Sequence, residues 1–265
     1  MNKNINRNVR YVCDPVLGDG GKFYVPNASE LVSVYKNEVI PLADVLTPNQ
    51  FEVEQLTGIQ VQTMNDARTA CDMLHHLGPS LVVITSAILQ PSSSSSEHES
   101  NSHSELKPNQ MTIIASQRRR QTKQNHTNDN NTQQTPHSNS SPNHDTTNHN
   151  HTQTTEVYYI QTPILPGNFT GTGDLCAALL LAWTAREPNN LSLALQRVFS
   201  TMFQVIQTTI QNINNHQHQH QQHDLLFTNN NPNDDHIVAQ RELRIVQSKN
   251  IIEDPPILFD VHRLS

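Results

Sequence analysis

ADVLTPNQFEVEQLTGIQVQTMNDARTACDMLHHLGPSLVVITS, residues 43–86, decides the fold. Its first five residues are β-prone and stop at Pro48, which cannot donate to a sheet ladder. Residues 51–56 then read as a short helix stopped by Gly58. A second helix over 65–77 is amphipathic, opened by Thr63-x-x-Asp66 in a capping pattern and closed by Gly78-Pro79. Last comes LVVIT (81–85), an unbroken apolar run of the kind that is buried on both faces of a parallel sheet. Strand, helix, helix, strand: this order belongs to an α/β architecture.

The same alternation extends outward. RYVCD (10–14) is a β-prone run ended by Pro15, and 29–40 reads as a helix with Leu31, Val32, Tyr35 and Val39 on one face. Residues 111–116 and 157–162 read as further strands. The helix expected over 174–186 is apolar almost all round and therefore buried, and another is expected over about 191–210. The expected fold is a mainly parallel sheet flanked by helices.

Composition at first conflicts with this. Hydrophobic residues make up only 34% of the 265, whereas Asn (29) and Gln (23) abound. The excess sits in three tracts, 91–110, 121–155 and 211–236, which also hold twelve of the fifteen histidines. Without them the remaining chain, Gly included, has about the 45–50% apolar share of an ordinary domain. The tracts are expected to be disordered inserts, since 121–155 has no apolar residue with which to offset chain entropy. Their histidines read as polar low-complexity expansion rather than a metal centre.

Several functions are excluded by the same reading. No run reaches the roughly 18 apolar residues of a membrane span, and the polar amino terminus lacks a secretory h-region. Three scattered cysteines (Cys13, Cys71, Cys176) form neither a disulfide framework nor a CxxC site, as expected for the cytosol. A net charge of −7 argues against nucleic acid as the main partner, and Arg118–Arg120 is too short a basic run to reverse that.

Ligands of α/β sheets bind at the carboxyl ends of the strands. Polar motifs follow these strands directly: Asp14-Pro-Val-Leu-Gly-Asp19, then Thr47-Pro-Asn49-Gln-Phe-Glu52, then Thr85-Ser86, and Gly171-Thr172-Gly173-Asp174 before the buried helix. If the strands are parallel neighbours, Asp14, Asp19, Glu52 and Asp174 converge at one edge with hydroxyls and an amide, a set suited to a metal-bound polyphosphate. Glycine N–H groups at a helix amino terminus make an anion site, and Asp174 stands where it can take a proton from an attacking hydroxyl. From Gly-x-Gly-Asp alone, a plain helix cap accounts for Asp174 equally well. Singly, Asp14-Pro and Thr47-Pro-Asn also read as turn and helix-entry chemistry, and Glu52 and Glu54 as solvated first-turn residues, Glu54 above all. Neither a Walker A sequence nor Gly-x-Gly-x-x-Gly is present.

Five stretches resemble the ribokinase-like superfamily and, within it, the pyridoxal kinases: YVCDPVLGDGGKFYVP (11–26), PLADVLTPNQFEVEQLTG (41–58), LGPSLVVITS (77–86), SQRRR (116–120) and TGTGDLCAALLLAWT (170–184). The ending ELRIVQSKNIIEDP (242–255) is similar to that of the eukaryotic enzymes. Asp after Gly-Thr-Gly favours this family over the hydroxymethylpyrimidine kinases, which usually carry Cys there. The resemblance implies ATP-dependent phosphorylation of the 5′-hydroxymethyl group of pyridoxal, pyridoxine or pyridoxamine, in vitamin B6 salvage.

The resemblance also implies roles. Asp174 would be the base, and Gly171, Thr172 and Gly173 the anion hole. Asn49, Thr85, Ser86 and Thr172 would contact ATP. Asp19 and Glu52 would hold a divalent cation (Mg or Zn), and Asp14, Thr47 and Thr85 a monovalent one (K or Na). A homodimer is implied as well. The family carries an amino-terminal portion ahead of the strand that begins here near residue 11. Residues 1–265 are therefore expected to form one ribokinase-like domain that is amino-terminally truncated, the carboxyl-terminal two-thirds, leaving an exposed sheet edge prone to aggregation. A different kinase of the superfamily and a non-catalytic nucleotide-binding remnant are the alternatives.

Overall fold

The computed structural model describes residues 9–90, 109–120, 153–220 and 241–264. Most of the three Asn/Gln/His-rich tracts lies outside these residues. A six-stranded sheet forms the centre, built from β1 (Val12–Cys13), β4 (Val45–Leu46), β5 (Leu81–Ala87), β6 (Gln110–Arg120), β7 (Gln153–Pro163) and β8 (His262–Leu264), in that spatial order. A separate ribbon pairs β2 (Gly18–Asp19) with β3 (Lys22–Phe23). The expected parallel order holds in β1, β4 and β5, the part that carries the polar motifs. Beyond β5 the sheet runs antiparallel, through β6 and β7 to β8.

LVVIT is buried on both faces, as its composition requires. Val82 and Ile84 join one core with Ile114 and the helices α1 (Ala28–Val34), α2 (Gln50–Thr57) and α3 (Met64–Leu77). Leu81 and Val83 point the other way, into a core with Ile113, Ala115 and the helices α4 (Thr172–Arg186) and α5 (Leu191–His220). Successive strand side chains alternate faces, so one apolar run serves two cores. Full burial of each Val, Leu or Ile contributes about 1.5–3 kcal/mol, which makes this strand the fold's main anchor.

Local signals explain the helix boundaries. Thr63 accepts from the Asp66 N–H while Asp66 returns a bond to the Thr63 N–H, so the expected capping box opens α3. Removing this cap by Thr63→Ala is expected to cost about 1 kcal/mol, seen as a lower urea midpoint with an unchanged slope. Leu31, Val32, Tyr35 and Val39 pack on the core as a single face. The regular part of that helix ends at Val34, however, and continues as a wider turn over Tyr35–Val39.

Two elements run further than their composition suggests. Strand β7 begins at Gln153 and helix α5 continues to His220, both within stretches read above as inserts. The strand is extended by pairing with β6 across Arg118–Thr155 and Arg119–Thr154. Arg119 also meets Glu156 at 2.9 Å, and the Arg118 guanidinium donates to the Gly78 carbonyl. The basic run is thus engaged in tying the sheet together.

One buried polar link was not foreseen. His75, at the end of α3, bonds Pro79 O through Nδ1 and Ser116 Oγ through Nε2, each at 2.9 Å, and so pins the helix to β6. Burial holds its pKa below the ordinary histidine value. No helix among the described residues is long and apolar enough to cross a membrane.

Candidate active site

The parallel half of the sheet sets out its polar residues in succession. Strand β1 ends at Cys13 and delivers Asp14; β4 ends at Leu46 and delivers Thr47. Thr85 and Ser86 sit inside β5, at the irregularity between Ile84 and Ala87 where the register with β6 shifts. Such a bulge re-aims side chains away from the regular pleat. The Thr85 N–H donates to the Pro48 carbonyl at 2.9 Å, fixing the β5 end against the β4 loop.

All eleven residues singled out from the sequence line one cavity of about 860 Å³: Asp14, Asp19, Thr47, Asn49, Glu52, Thr85, Ser86, Gly171, Thr172, Gly173 and Asp174. Thr172 begins α4, so its first-turn N–H groups face the same space as Asp174. The helix dipole adds positive potential there. Gly171 precedes the helix with a left-handed φ of 88° and carries no side chain to cover those groups.

Close packing accounts for two glycines. A Cβ on Gly173 would run into Asp14 Oδ2, so only glycine lets the β1 carboxylate lie against the start of α4. At Gly18 a Cβ would strike the Lys22 carbonyl oxygen and come within 2.6 Å of Phe51 Cε1. The β2–β3 ribbon therefore rests directly on α2, an arrangement completed by the edge-to-face pair of Phe23 and Phe51, whose ring centroids are 5.0 Å apart.

Glu52 holds the ribbon from below. It is 2% exposed, and its Oε1 accepts from the Leu17 N–H at 2.8 Å while Oε2 accepts from the Asn49 N–H at 2.9 Å. Asn49 closes the circuit, accepting from the Glu52 N–H and donating through Nδ2 to the Gly18 carbonyl at 2.8 Å. So the pair Asn49–Glu52 is a capping box for α2 and also a clamp on the loop that carries Asp19. Glu54, read from the sequence as a solvated first-turn residue, is instead half-buried and accepts from the Val61 N–H.

Crowded carboxylates shape the electrostatics. Burial pushes the Glu52 carboxyl up to about 7, against the backbone N–H groups that favour its ionised form, and Asp14 adds a smaller upward push. Asp14 is itself raised, first by burial and then by the nearby charge of Asp174. Cys176 faces the cavity from α4 but stays a thiol, its pKa pushed by burial to about 12. Among the described residues the lining contains no Lys, Arg or His. Anionic substrate charge in such a site is met by backbone N–H groups, by metal cations or by cations brought in from the rim.

The opposite wall was not read from the sequence. Met111 and Ile113 of β6, with Phe169 and with Phe199, Met202, Phe203 and Ile206 of α5, give the cavity an apolar shelf. The spacing of the α5 residues, at i, i+3, i+4 and i+7, was the available signal. Val16 and Tyr24 also line the mouth. Val16 has a φ of 46°, an unfavourable region for a β-branched residue, so the turn after Asp14-Pro15 is held under strain at the site.

A layered α/β sheet with its cavity at the carboxyl ends of the parallel strands has the general plan of a ligand-binding α/β protein. A phosphomethylpyrimidine kinase family model matches residues 1–129. Human pyridoxal kinase is 37% identical over 262 residues, covering 97% of this chain and 66% of its own. The Dictyostelium discoideum enzyme is 34% identical over 263 residues, covering 99% and 67%. In structure the chain is similar to Leishmania donovani pyridoxal kinase in complex with ADP and pyridoxamine, with a TM-score of 0.64 and 22% identity over 98% of this chain and 63% of that one. The chain belongs to the pyridoxal kinase family. It spans about two thirds of the length of the curated relatives it matches.

Proposed function

We propose that the chain carries the ATP-binding and catalytic part of a pyridoxal kinase. It would transfer the terminal phosphoryl group of ATP to the 5′-hydroxymethyl oxygen of pyridoxal, pyridoxine or pyridoxamine. The observation that carries this reading is the meeting of all eleven motif residues in one cavity, with Asp174 in the first turn of α4. In that geometry Asp174 takes the hydroxyl proton as the oxygen bonds to the γ-phosphorus, and the bond from that phosphorus to the bridging oxygen breaks to release ADP. The N–H groups at 171–173 hold the charge spread over the transferring group; such positioning is most of what phosphoryl transfer asks of a protein. Asn49, Thr85, Ser86 and Thr172 would contact ATP, and the apolar shelf suits a flat ring.

The donor set fits metal ions. Carboxylate and hydroxyl oxygens predominate, and among the described residues no group of three or more His, Cys, Asp or Glu side chains forms a cage. Magnesium is bound in this way, by one or two carboxylates with the rest of its shell from phosphate and water, so we favour Mg over Zn. Asp19 and Glu52 would hold it, with Asp14, Thr47 and Thr85 at the monovalent cation. A bound divalent ion supplies charge neutralisation on the phosphates.

Residues 1–265 then form one ribokinase-like domain with inserts at 91–110, 121–155 and 211–236, working as a homodimer in the cytosol. Three buried free thiols agree with a reducing compartment. A second reading, a hydroxymethylpyrimidine kinase, draws support from the family model matched by residues 1–129.

Incubating the purified chain with ATP, Mg²⁺ and either pyridoxal or hydroxymethylpyrimidine tests both. Pyridoxal 5′-phosphate as the main product is the expected result. Preference for the pyrimidine would favour the second reading, and ATP binding without turnover would reduce the chain to a nucleotide-binding remnant.

A further inference from the structure

Among the described residues the cavity is lined by four carboxylates and not one basic side chain, yet the ribbon at its mouth carries a lysine paired with Asp19. We infer that Lys22 is a phosphate-binding residue, its ammonium meeting the outer phosphates of the bound nucleotide. This rests on the nucleotide-site reading above.

Ribbon geometry places the side chain. Asp19 and Lys22 are directly paired across the antiparallel ribbon, and paired residues project from the same face. Tyr24 stands two residues on from Lys22, and alternate residues of a strand share a face. Asp19 and Tyr24 line the cavity on either side of Lys22, which itself stands outside the lining at the mouth, on the face its pairing with Asp19 gives it. Phe23 points the other way and packs on Phe51, as the pairing of Gly18 with Phe23 also requires.

The ribbon is rigid at its base and open at its tip. Glu52, Asn49 and Phe51 hold Leu17, Gly18 and Phe23, whereas the turn at Gly20-Gly21 is exposed. Lys22 is exposed too and enters no salt bridge among the described residues. A long flexible cation on a fixed stem, above an acidic pocket, is placed to meet polyphosphate as it enters. Lysine serves phosphate well as a mobile point charge.

Titration calorimetry of ATP, ADP and AMP with Mg²⁺, on the whole chain and its Lys22→Gln and Lys22→Arg variants, tests this. Loss of a charge-assisted contact should weaken ATP binding by about tenfold or more in Lys22→Gln. ADP should lose less, AMP almost nothing, and Lys22→Arg should keep most of the ATP affinity. Unchanged ATP affinity in Lys22→Gln, or an equal loss for all three nucleotides, overturns the role of Lys22 and leaves the nucleotide site standing. If the unsubstituted chain binds none of them, the reading of the site falls with it.

Discussion

Asp174→Ala is expected to lower phosphorylation of pyridoxal by about 10²–10⁴-fold, the usual worth of a positioned general base. Nucleotide affinity should change little, because in the proposed role Asp174 would accept a proton from the alcohol and would not be needed to hold the phosphates. The alternative of a plain helix cap leads elsewhere. A cap contributes about 1 kcal/mol to folding, so its loss would lower stability and leave turnover per folded molecule intact. Gly171 already occupies the cap position of α4, one turn-residue ahead of Thr172, and no side-chain cap bond is made there. Asp174 is exposed in the cavity wall, which is where a base must stand. Single-turnover phosphorylation and equilibrium ATP binding, measured on Asp174→Ala and Asp174→Asn beside thermal melts, separate the two roles. Equal turnover in the variants would remove Asp174 from the chemistry.

Much of this arrangement is legible in the sequence because its determinants are local. LVVIT has to lie between two cores, Thr63-x-x-Asp66 has to open a helix, and polar motifs that follow parallel strands have to share an edge. What stayed hidden depends on partners far away in the chain. The direction of β6 and β7 is set by their pairing with each other, from Gln110 opposite Pro163 to Arg120 opposite Gln153, and no residue in either strand encodes it. The link from His75 to Ser116 spans 41 positions. Helix α5 passes into Asn- and Gln-rich sequence because propagation of a formed helix asks little of each added residue, whereas periodicity of apolar residues fades there. Glu52 shows the limit most clearly. From the sequence it reads as a first-turn residue after a helix-entry signal, but in the fold one oxygen caps Asn49 and the other serves Leu17, 35 residues away.

That double use predicts a stability effect as large as any in the molecule. Glu52→Ala strands the Leu17 and Asn49 N–H groups, each loss costing about 1–3 kcal/mol, and should also free the ribbon that carries Asp19. Glu52→Gln keeps one acceptor oxygen but turns an NH₂ towards the other amide, so it should lose about half as much. The pH dependence separates packing from charge. With its pKa raised to about 7 in the fold, Glu52 holds its proton there more tightly than in the unfolded chain. The folded state then binds more protons than the unfolded one between the ordinary carboxylate value and about 7. Glu52's contribution is greatest below that window, declines as pH rises through it and is flat above, at about 1.4 kcal/mol per pKa unit. Urea denaturation of the nucleotide-free chain from pH 4 to 8 should show this decline, and Glu52→Gln should lose it. Asp14, raised in the same sense, adds a smaller part that survives in the variant. With Glu52 in its proposed cation-holding role, Mg²⁺ with ATP should reverse the slope in the unsubstituted chain, since a cation beside the carboxylate would favour its ionised form and make binding release a proton. A slope identical in both proteins, with and without Mg²⁺ and ATP, would mean that Glu52 is ionised throughout and serves only as the clamp.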